Sequence, residues 1–247
     1  FMPSLGATCI IPDMDPTKTA KVNPAYLVEA IQTYGVTNSM GSPIIWKKVA
    51  DYCNDNGIYL PSIKHVFMFG AAVPPGVVES FTSVLQGGKV YIPYGATEAL
   101  PLTKISGDEA IKTEKLTASG HGVCVDKPIA GATVRIITIT DDPIAEWDDD
   151  IVLPHGQIGE ITATGPTITK VYLNRPQKTA EAKIHSPEGI WHRMGDLGYI
   201  DSEGMLWFCG RKAHRVETME GLLTPVQCES IFNQHPNVKR TALVGIG

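Results

Sequence analysis

Tyr94-Gly95-Ala96-Thr97-Glu98 follows a short apolar run, Lys89 to Ile92, that reads as a strand. A glycine at the end of a strand lets the backbone approach a ligand closely. Thr97 offers a hydroxyl to a phosphate, Glu98 a hard oxygen to Mg²⁺, and Tyr94 a flat face to a base. Further along, in Trp191-His192-Arg193-Met194-Gly195-Asp196-Leu197-Gly198-Tyr199, an aspartate stands beside a glycine at a predicted turn. Such a carboxylate can accept hydrogen bonds from both hydroxyls of a ribose. Gly210-Arg211-Lys212 puts a guanidinium just past the predicted strand Met205 to Cys209, where it can reach ribose or phosphate oxygens. A fourth stretch, Gly159 to Pro166 followed by Tyr172, ends another predicted strand. Taken singly, each also reads as ordinary strand-to-turn chain.

The elements that must position these residues fall into three parts. Over the first hundred residues helices alternate with short apolar strands. Asn23-Pro24 and Ser42-Pro43 are cap-plus-proline starts of helices reaching Tyr34 and Cys53. Pro75 to Leu85 is a third helix. Strands are predicted at Ala7 to Ile11, Val36 to Met40, Val66 to Phe69 and Lys89 to Ile92. This alternation implies α/β architecture with a largely parallel sheet, whose ligands gather at the carboxyl ends of the strands. After about Gly107 the chain turns β-rich, with strands at Val134 to Thr140, Ile158 to Thr164, Trp191 to Ile200 and Met205 to Cys209, and reads as a small antiparallel or barrel-like unit. Thr224-Pro225 then opens a helix to about Asn233, and Val238 to Ile246 reads as a strand. The expected division is residues 1–107 (α/β part of a large domain), 108–210 (its β-rich subdomain) and 211–247 (a hinge and the start of a small α+β domain).

Bulk properties narrow the classes. The 247 residues carry a net charge of -5 and no Lys/Arg stripe, which argues against a nucleic-acid partner. Five cysteines without a CxxC pair point away from a disulfide framework or a zinc site and toward a reduced, cytoplasmic setting. No apolar run approaches the ~20 residues that span a bilayer, so no membrane anchor is expected. Asp148-Asp149-Asp150 reads as a solvated turn, with metal binding as the alternative. His192 and His214 flank the nucleotide motifs and read either as packing or surface residues or as helpers in catalysis. No nucleophile elbow or Ser-His-Asp order supports a hydrolase.

Together, the order and spacing of Tyr-Gly-x-Thr-Glu, Gly-Glu-x4-Gly-Pro, Gly-Asp-Leu-Gly-Tyr, Gly-Arg-Lys, Gly221 with the Pro225 to Glu229 helix start, and His-Pro-x-Val resemble the adenylate-forming superfamily: acyl-CoA synthetases, peptide-synthetase adenylation domains and luciferases. The likeness is collinear from about Gly70 to Gly247. The wording from Trp191 to Asp196 and from Leu206 to Val216 is similar to the branch that includes the β-lactone synthetases of bacterial olefin biosynthesis.

The resemblance implies that Thr97 contacts the α-phosphate, Glu98 binds Mg²⁺ and Tyr94 lies against adenine. It also implies that Asp196 holds the ribose with help from Arg211, that Gly95 belongs to the nucleotide loop, and that Gly70, Ala71 and Ala72 line the adenine and acyl pockets. ATP, giving AMP, and Mg²⁺ are the implied cofactors, with coenzyme A left open. A fatty, long-chain β-hydroxy acid is the implied substrate. The pathway leaves room for a complex with other enzymes, of unspecified oligomeric state. The superfamily's phosphate loop is expected before Phe1 and its carboxy-terminal lysine after Gly247, so this chain is expected to be inactive by itself.

Met194 replaces the usual threonine, and Ala213 replaces the usual Asp or Lys of the hinge. Ala213 fits an enzyme that cyclises its own acyl-AMP without coenzyme A. A fatty-acid–CoA ligase, a peptide-synthetase-type adenylation domain and a non-catalytic nucleotide- or acyl-binding module stand as alternatives.

Overall fold

The computed structural model describes residues 6–246, which form two compact units. The first joins the residues up to 92 with 106–111, and the second joins 93–105 with the residues from 112 onward.

In the first unit, α1 (Pro24–Tyr34) starts where Asn23 accepts the Ala25 amide at 3.1 Å, and it ends on Gly35 in the left-handed region. Then come β1 (Asn38–Gly41), α2 (Pro43–Asn56), β2 (His65–Met68), α3 (Pro75–Val84) and β3 (Lys89–Ala96). Ser42 sits at the start of α2, but its side chain makes no cap bond. β1 pairs with β2, and β2 with β3, both in parallel. Trp46, Val49, Leu60, Val66, Met68 and Phe81 fill the core, with the Trp46 and Phe81 rings 5.0 Å apart. This is the expected parallel α/β arrangement. Ala7 to Ile11 is not a strand; it pairs with no sheet among the described residues, and Ile11 is exposed.

β3 runs to Ala96, past the predicted end at Ile92, and its last residues belong to the second unit. There it is neighboured by β4 (Ala99–Ser106), and α4 (Gly107–Ala118) follows. The remaining strands are β5 (Val123–Asp126), β6 (Thr133–Ile137), β7 (Gly159–Thr164), β8 (Lys183–Ser186), β9 (Gly189–Ile200) and β10 (Leu206–Arg211). They form one antiparallel sheet in the order β5-β10-β9-β7-β6, with β8 also on β9. α5 (Pro176–Ala182) leads directly into β8. Leu102, Val134, Ile136, Ile161, Ala163 and Leu206 form the core on one face. The acidic stretch winds into a short 3-10 turn in which Asp148 accepts the Asp150 amide at 3.0 Å.

A hairpin, β11 (Val216–Thr218) with β12 (Gly221–Leu223), precedes α6 (Pro225–Phe232). The expected strand from Val238 to Ile246 is absent. The reason lies in α6 and the residue after it. The Thr241 amide donates to Asn233 at 2.8 Å and the Leu243 amide to Glu229 at 3.1 Å, so side chains satisfy this backbone in place of a sheet neighbour.

Candidate active site

Asp196 is not at a turn. It lies within β9, in a stretch where three residues, Met194, Gly195 and Asp196, face the single residue Ile161 of β7. This bulge needs a residue with positive φ, and Gly195 supplies it at +65°. On the other side of β9, the register with β10 shifts at Cys209: Phe208 opposes Gly198, but Gly210 opposes Leu197 and Arg211 opposes Asp196. A one-residue slip in a sheet exchanges its faces. The extra residue therefore brings the Arg211 guanidinium beside the Asp196 carboxylate, at 2.9 Å. Arg211 thus ends β10 and does not follow it.

Tyr94 reaches the same carboxylate from β3. Its hydroxyl donates to Asp196 Oδ2 at 2.8 Å, and its ring lies 5.8 Å from that of Phe208. Burial, and then the charge of Asp196, raises the Tyr94 hydroxyl well above its usual range, so it remains a donor. Burial pushes the Asp196 carboxyl up, against the pull of Tyr94 and Arg211. The aspartate side chain is 7% exposed, while that of Arg211 is 58% exposed. Arg211 therefore faces solvent with donors to spare, above a carboxylate fixed from two sides.

Glu98 forms the second part. It is half-buried in the turn between β3 and β4, beside the exposed Thr97. Tyr172 donates to Glu98 Oε1 at 2.7 Å. That bond is the main cause that holds the Glu98 carboxyl below its usual range. Glu98 has no ion-pair partner among the described residues, so its charge is uncompensated at contact range. A single ionised carboxylate suits Mg²⁺, which takes one or two protein oxygens and completes its shell with water and phosphate. A Cβ on Gly95 would run into the backbone carbonyl of Ala99, so the tight β3–β4 turn demands this glycine.

The structure thus brings together Tyr94, Asp196 and Arg211, and sets Glu98 and Thr97 at the end of the same β3 strand. Gly70, Ala71 and Ala72 are exposed on the loop between β2 and α3 of the first unit, with Gly70 at φ +87°. Ala213 is exposed in the 3-10 turn Lys212–His214 that follows β10. Its neighbour Lys212 donates to Glu160 at 3.1 Å and to the Thr140 carbonyl at 2.8 Å. His192 is buried and bonds the Ala182 carbonyl through Nδ1 at 3.1 Å, a packing role; His214 is exposed. The sequence marks Tyr172 only as the aromatic that follows Gly159 to Pro166, without a role, and gives Lys183 no mark at all. Nothing in the sequence places them beside Glu98, because their contacts depend on how α5 folds back onto β9.

The chain belongs to the AMP-binding enzyme family, whose model matches residues 1–173. Over 253 residues it is 47% identical to the olefin beta-lactone synthetase of Stenotrophomonas maltophilia, covering 100% of this chain and 45% of that protein. The identity and coverage are the same for the olefin beta-lactone synthetase of Xanthomonas campestris. A long-chain-fatty-acid–CoA ligase of Thermus thermophilus is 28% identical over 92% of this chain. Among solved structures, the amide bond synthetase McbA of Marinactinospora thermotolerans superposes with a TM-score of 0.72 at 25% identity, covering 91% of this chain and 42% of that one. The O-succinylbenzoate coenzyme A synthetase of Bacillus subtilis in complex with AMP shares the fold, with a TM-score of 0.69 at 23% identity over 92% of this chain and 42% of that one. The chain spans less than half the length of the curated relatives it matches. Among the described residues no helix is long and apolar enough to cross a membrane.

Proposed function

We propose that this chain provides nucleotide-facing residues of a cytoplasmic enzyme that uses ATP to activate a fatty acid as its acyl-AMP. The observation that carries the reading is the buried Asp196 carboxylate, held by Tyr94 at 2.8 Å and Arg211 at 2.9 Å. An acceptor fixed in this way suits the two hydroxyls of a ribose. In the same reading the ring of Tyr94 packs on adenine, Gly95 lets the turn approach the nucleotide, and the Thr97 hydroxyl donates to the α-phosphate. Gly70, Ala71 and Ala72 line the adenine and acyl pockets. Glu98 holds Mg²⁺, which neutralises phosphate charge when bound.

Activation joins a carboxylate oxygen to the α-phosphorus and expels pyrophosphate. The demand on the protein is alignment and charge stabilisation. The identity to two olefin beta-lactone synthetases supports a second step on a β-hydroxy acid. There the β-hydroxyl oxygen bonds to the activated carbonyl carbon, the bond to AMP breaks, and the hydroxyl proton is released. Ala213, an exposed residue without charge in the hinge turn, agrees with a product formed without coenzyme A.

The test uses a polypeptide that carries this chain at the length of its relatives. With ATP, Mg²⁺ and a long-chain β-hydroxy acid, pyrophosphate release and a β-lactone by mass spectrometry and NMR are expected without coenzyme A. A thioester formed only when coenzyme A is added would replace lactone closure with ligase chemistry. No pyrophosphate with any acid would favour a nucleotide- or acyl-binding module.

A further inference from the structure

Glu98 is gripped at two points by one short segment. Its backbone carbonyl accepts the Thr169 amide at 2.9 Å, and its Oε1 accepts the Tyr172 hydroxyl at 2.7 Å. That segment is itself seated on the next two elements. The Tyr172 amide donates to Thr179 Oγ1 of α5 at 3.0 Å, and Thr179 Oγ1 donates in turn to the Arg175 carbonyl at 3.0 Å. Lys183, the first residue of β8, donates to Thr169 Oγ1 at 3.2 Å and lies 5.6 Å from the centre of the Tyr172 ring. Lys183 is only 2% exposed and has no ion pair among the described residues.

A buried ammonium without a contacting carboxylate is costly. Packing alone does not require one here, since an apolar side chain would fill the same space under Tyr172. What the ammonium adds is a bond that fixes Thr169 and a positive charge behind the ring that holds Glu98.

We propose that residues 169–172, braced by Thr179 and Lys183, are a clasp that positions Glu98 for a divalent cation, with Tyr172 as the main positioning residue. The clasp commits one carboxylate oxygen to Tyr172 and leaves the carboxylate to meet a metal through the other. A one-oxygen contact suits Mg²⁺, which keeps most of its shell for water and phosphate. This inference rests on the assignment of Glu98 as metal ligand, and the experiment separates the two.

Mn²⁺ serves as the probe, its binding followed by electron paramagnetic resonance on the relative-length polypeptide with ATP present. Three variants are compared with the parent: Glu98→Gln, Tyr172→Phe and Lys183→Met. Loss of a group that orients a metal ligand weakens metal binding by about 10-fold or more. Weaker Mn²⁺ binding is expected in Glu98→Gln, by about 10-fold in Tyr172→Phe, and to a smaller degree in Lys183→Met, with AMP affinity unchanged in Tyr172→Phe. Parent-like Mn²⁺ binding in Tyr172→Phe, alongside a loss in Glu98→Gln, would overturn the clasp and leave Glu98 as ligand. Parent-like binding in Glu98→Gln would overturn the metal assignment itself. A fourth variant, Thr179→Val, removes the support of the Tyr172 amide but keeps the hydroxyl contact to Glu98. A clasp predicts a partial loss of Mn²⁺ affinity there, whereas a purely structural role predicts a lower melting temperature with Mn²⁺ affinity intact.

Discussion

Tyr94 and Asp196, 102 residues apart in the chain, are joined by a 2.8 Å hydrogen bond that spends the tyrosine hydroxyl on the aspartate. In the proposed nucleotide site, this leaves only the ring of Tyr94 for a base, while its hydroxyl holds the Asp196 carboxylate. The two functions separate in Tyr94→Phe, which keeps the ring. A hydrogen bond to a charged, buried group is worth about 1.5–3 kcal/mol, so the variant is expected to lose about 2 kcal/mol of stability. Urea unfolding measures that loss. Calorimetry with AMP should show weaker binding, because Arg211 alone then orients Asp196. Unchanged AMP affinity would separate the carboxylate from ribose recognition.

Glu160, part of the Gly-Glu motif, serves the packing of the second unit. Its carboxylate lies 2.6 Å from Arg193 Nη2 and 3.1 Å from Lys212 Nζ, and both Glu160 and Arg193 are almost fully buried. Arg193 also donates to the carbonyls of Thr140, Asp142 and Glu181. Removing this anion strands the Arg193 guanidinium away from water and leaves Lys212 with Asp141 alone, at 3.8 Å. Glu160→Gln is therefore expected to cost about 3–5 kcal/mol, the usual penalty for breaking a buried pair. By contrast, Arg215→Met loses a pair to the largely exposed Asp141 and should cost about 1 kcal/mol or less. Denaturant midpoints of the two variants test the ranking, and equal losses would contradict it.

These contrasts show what the sequence made legible. Helix starts were readable because caps and prolines act locally: Asn23-Pro24 opens α1 as written. Of the strands of the second unit, β6, β7, β9 and β10 were readable from their apolar runs, whereas β4, β5, β8 and the β11–β12 hairpin were not. The predicted strand Trp191 to Ile200 already held Asp196, but the bulge around it, and the extra residue that carries Arg211 into β10 beside it, have no local signature. Motif spacing identified Tyr94, Glu98, Asp196 and Arg211 as a set without showing that Tyr94 would bond Asp196 and Tyr172 would bond Glu98. Pairings over 102 and 74 residues join two different sheets in one case and a turn to a loop in the other, which no short window records. Val238 to Ile246 failed for a related reason: an apolar run becomes a strand only where a neighbouring strand takes up its amides.

His192 gives stability a pH dependence of definite sign. Burial, and then the charge of Lys183, lowers its imidazole pKa to about 4 from an ordinary 6.5. Between those values the unfolded chain holds a proton that the folded chain lacks. Unfolding then takes up a proton, and stability falls as pH falls from 6.5 toward 4, with a limiting slope of about 1.4 kcal/mol per pH unit. His192→Gln should remove this contribution, so its stability between pH 6.5 and 4.5 should decline less steeply than that of the parent. Parallel curves from pH-dependent urea titrations would mean that the imidazole ionises normally in the folded state.

Gly210 and Gly189 separate two costs that glycine substitutions usually mix. Both have positive φ, +128° and +141°, which L side chains rarely adopt. A Cβ on Gly189 would meet open space, whereas one on Gly210 would sit 2.5 Å from Pro225 Cγ and 2.9 Å from Cδ, at the start of α6. Gly189→Ala therefore carries backbone strain alone, about 1–3 kcal/mol. Gly210→Ala adds overpacking against a rigid ring, about 1–3 kcal/mol more. Gly210 also precedes Arg211, so relief by shifting the end of β10 would move the guanidinium off Asp196. Gly210→Ala is thus expected to lose both stability and AMP affinity, and Gly189→Ala stability only. If Gly210→Ala lost stability but kept full AMP affinity, the strain would have been absorbed in α6, leaving the Asp196–Arg211 pair in place.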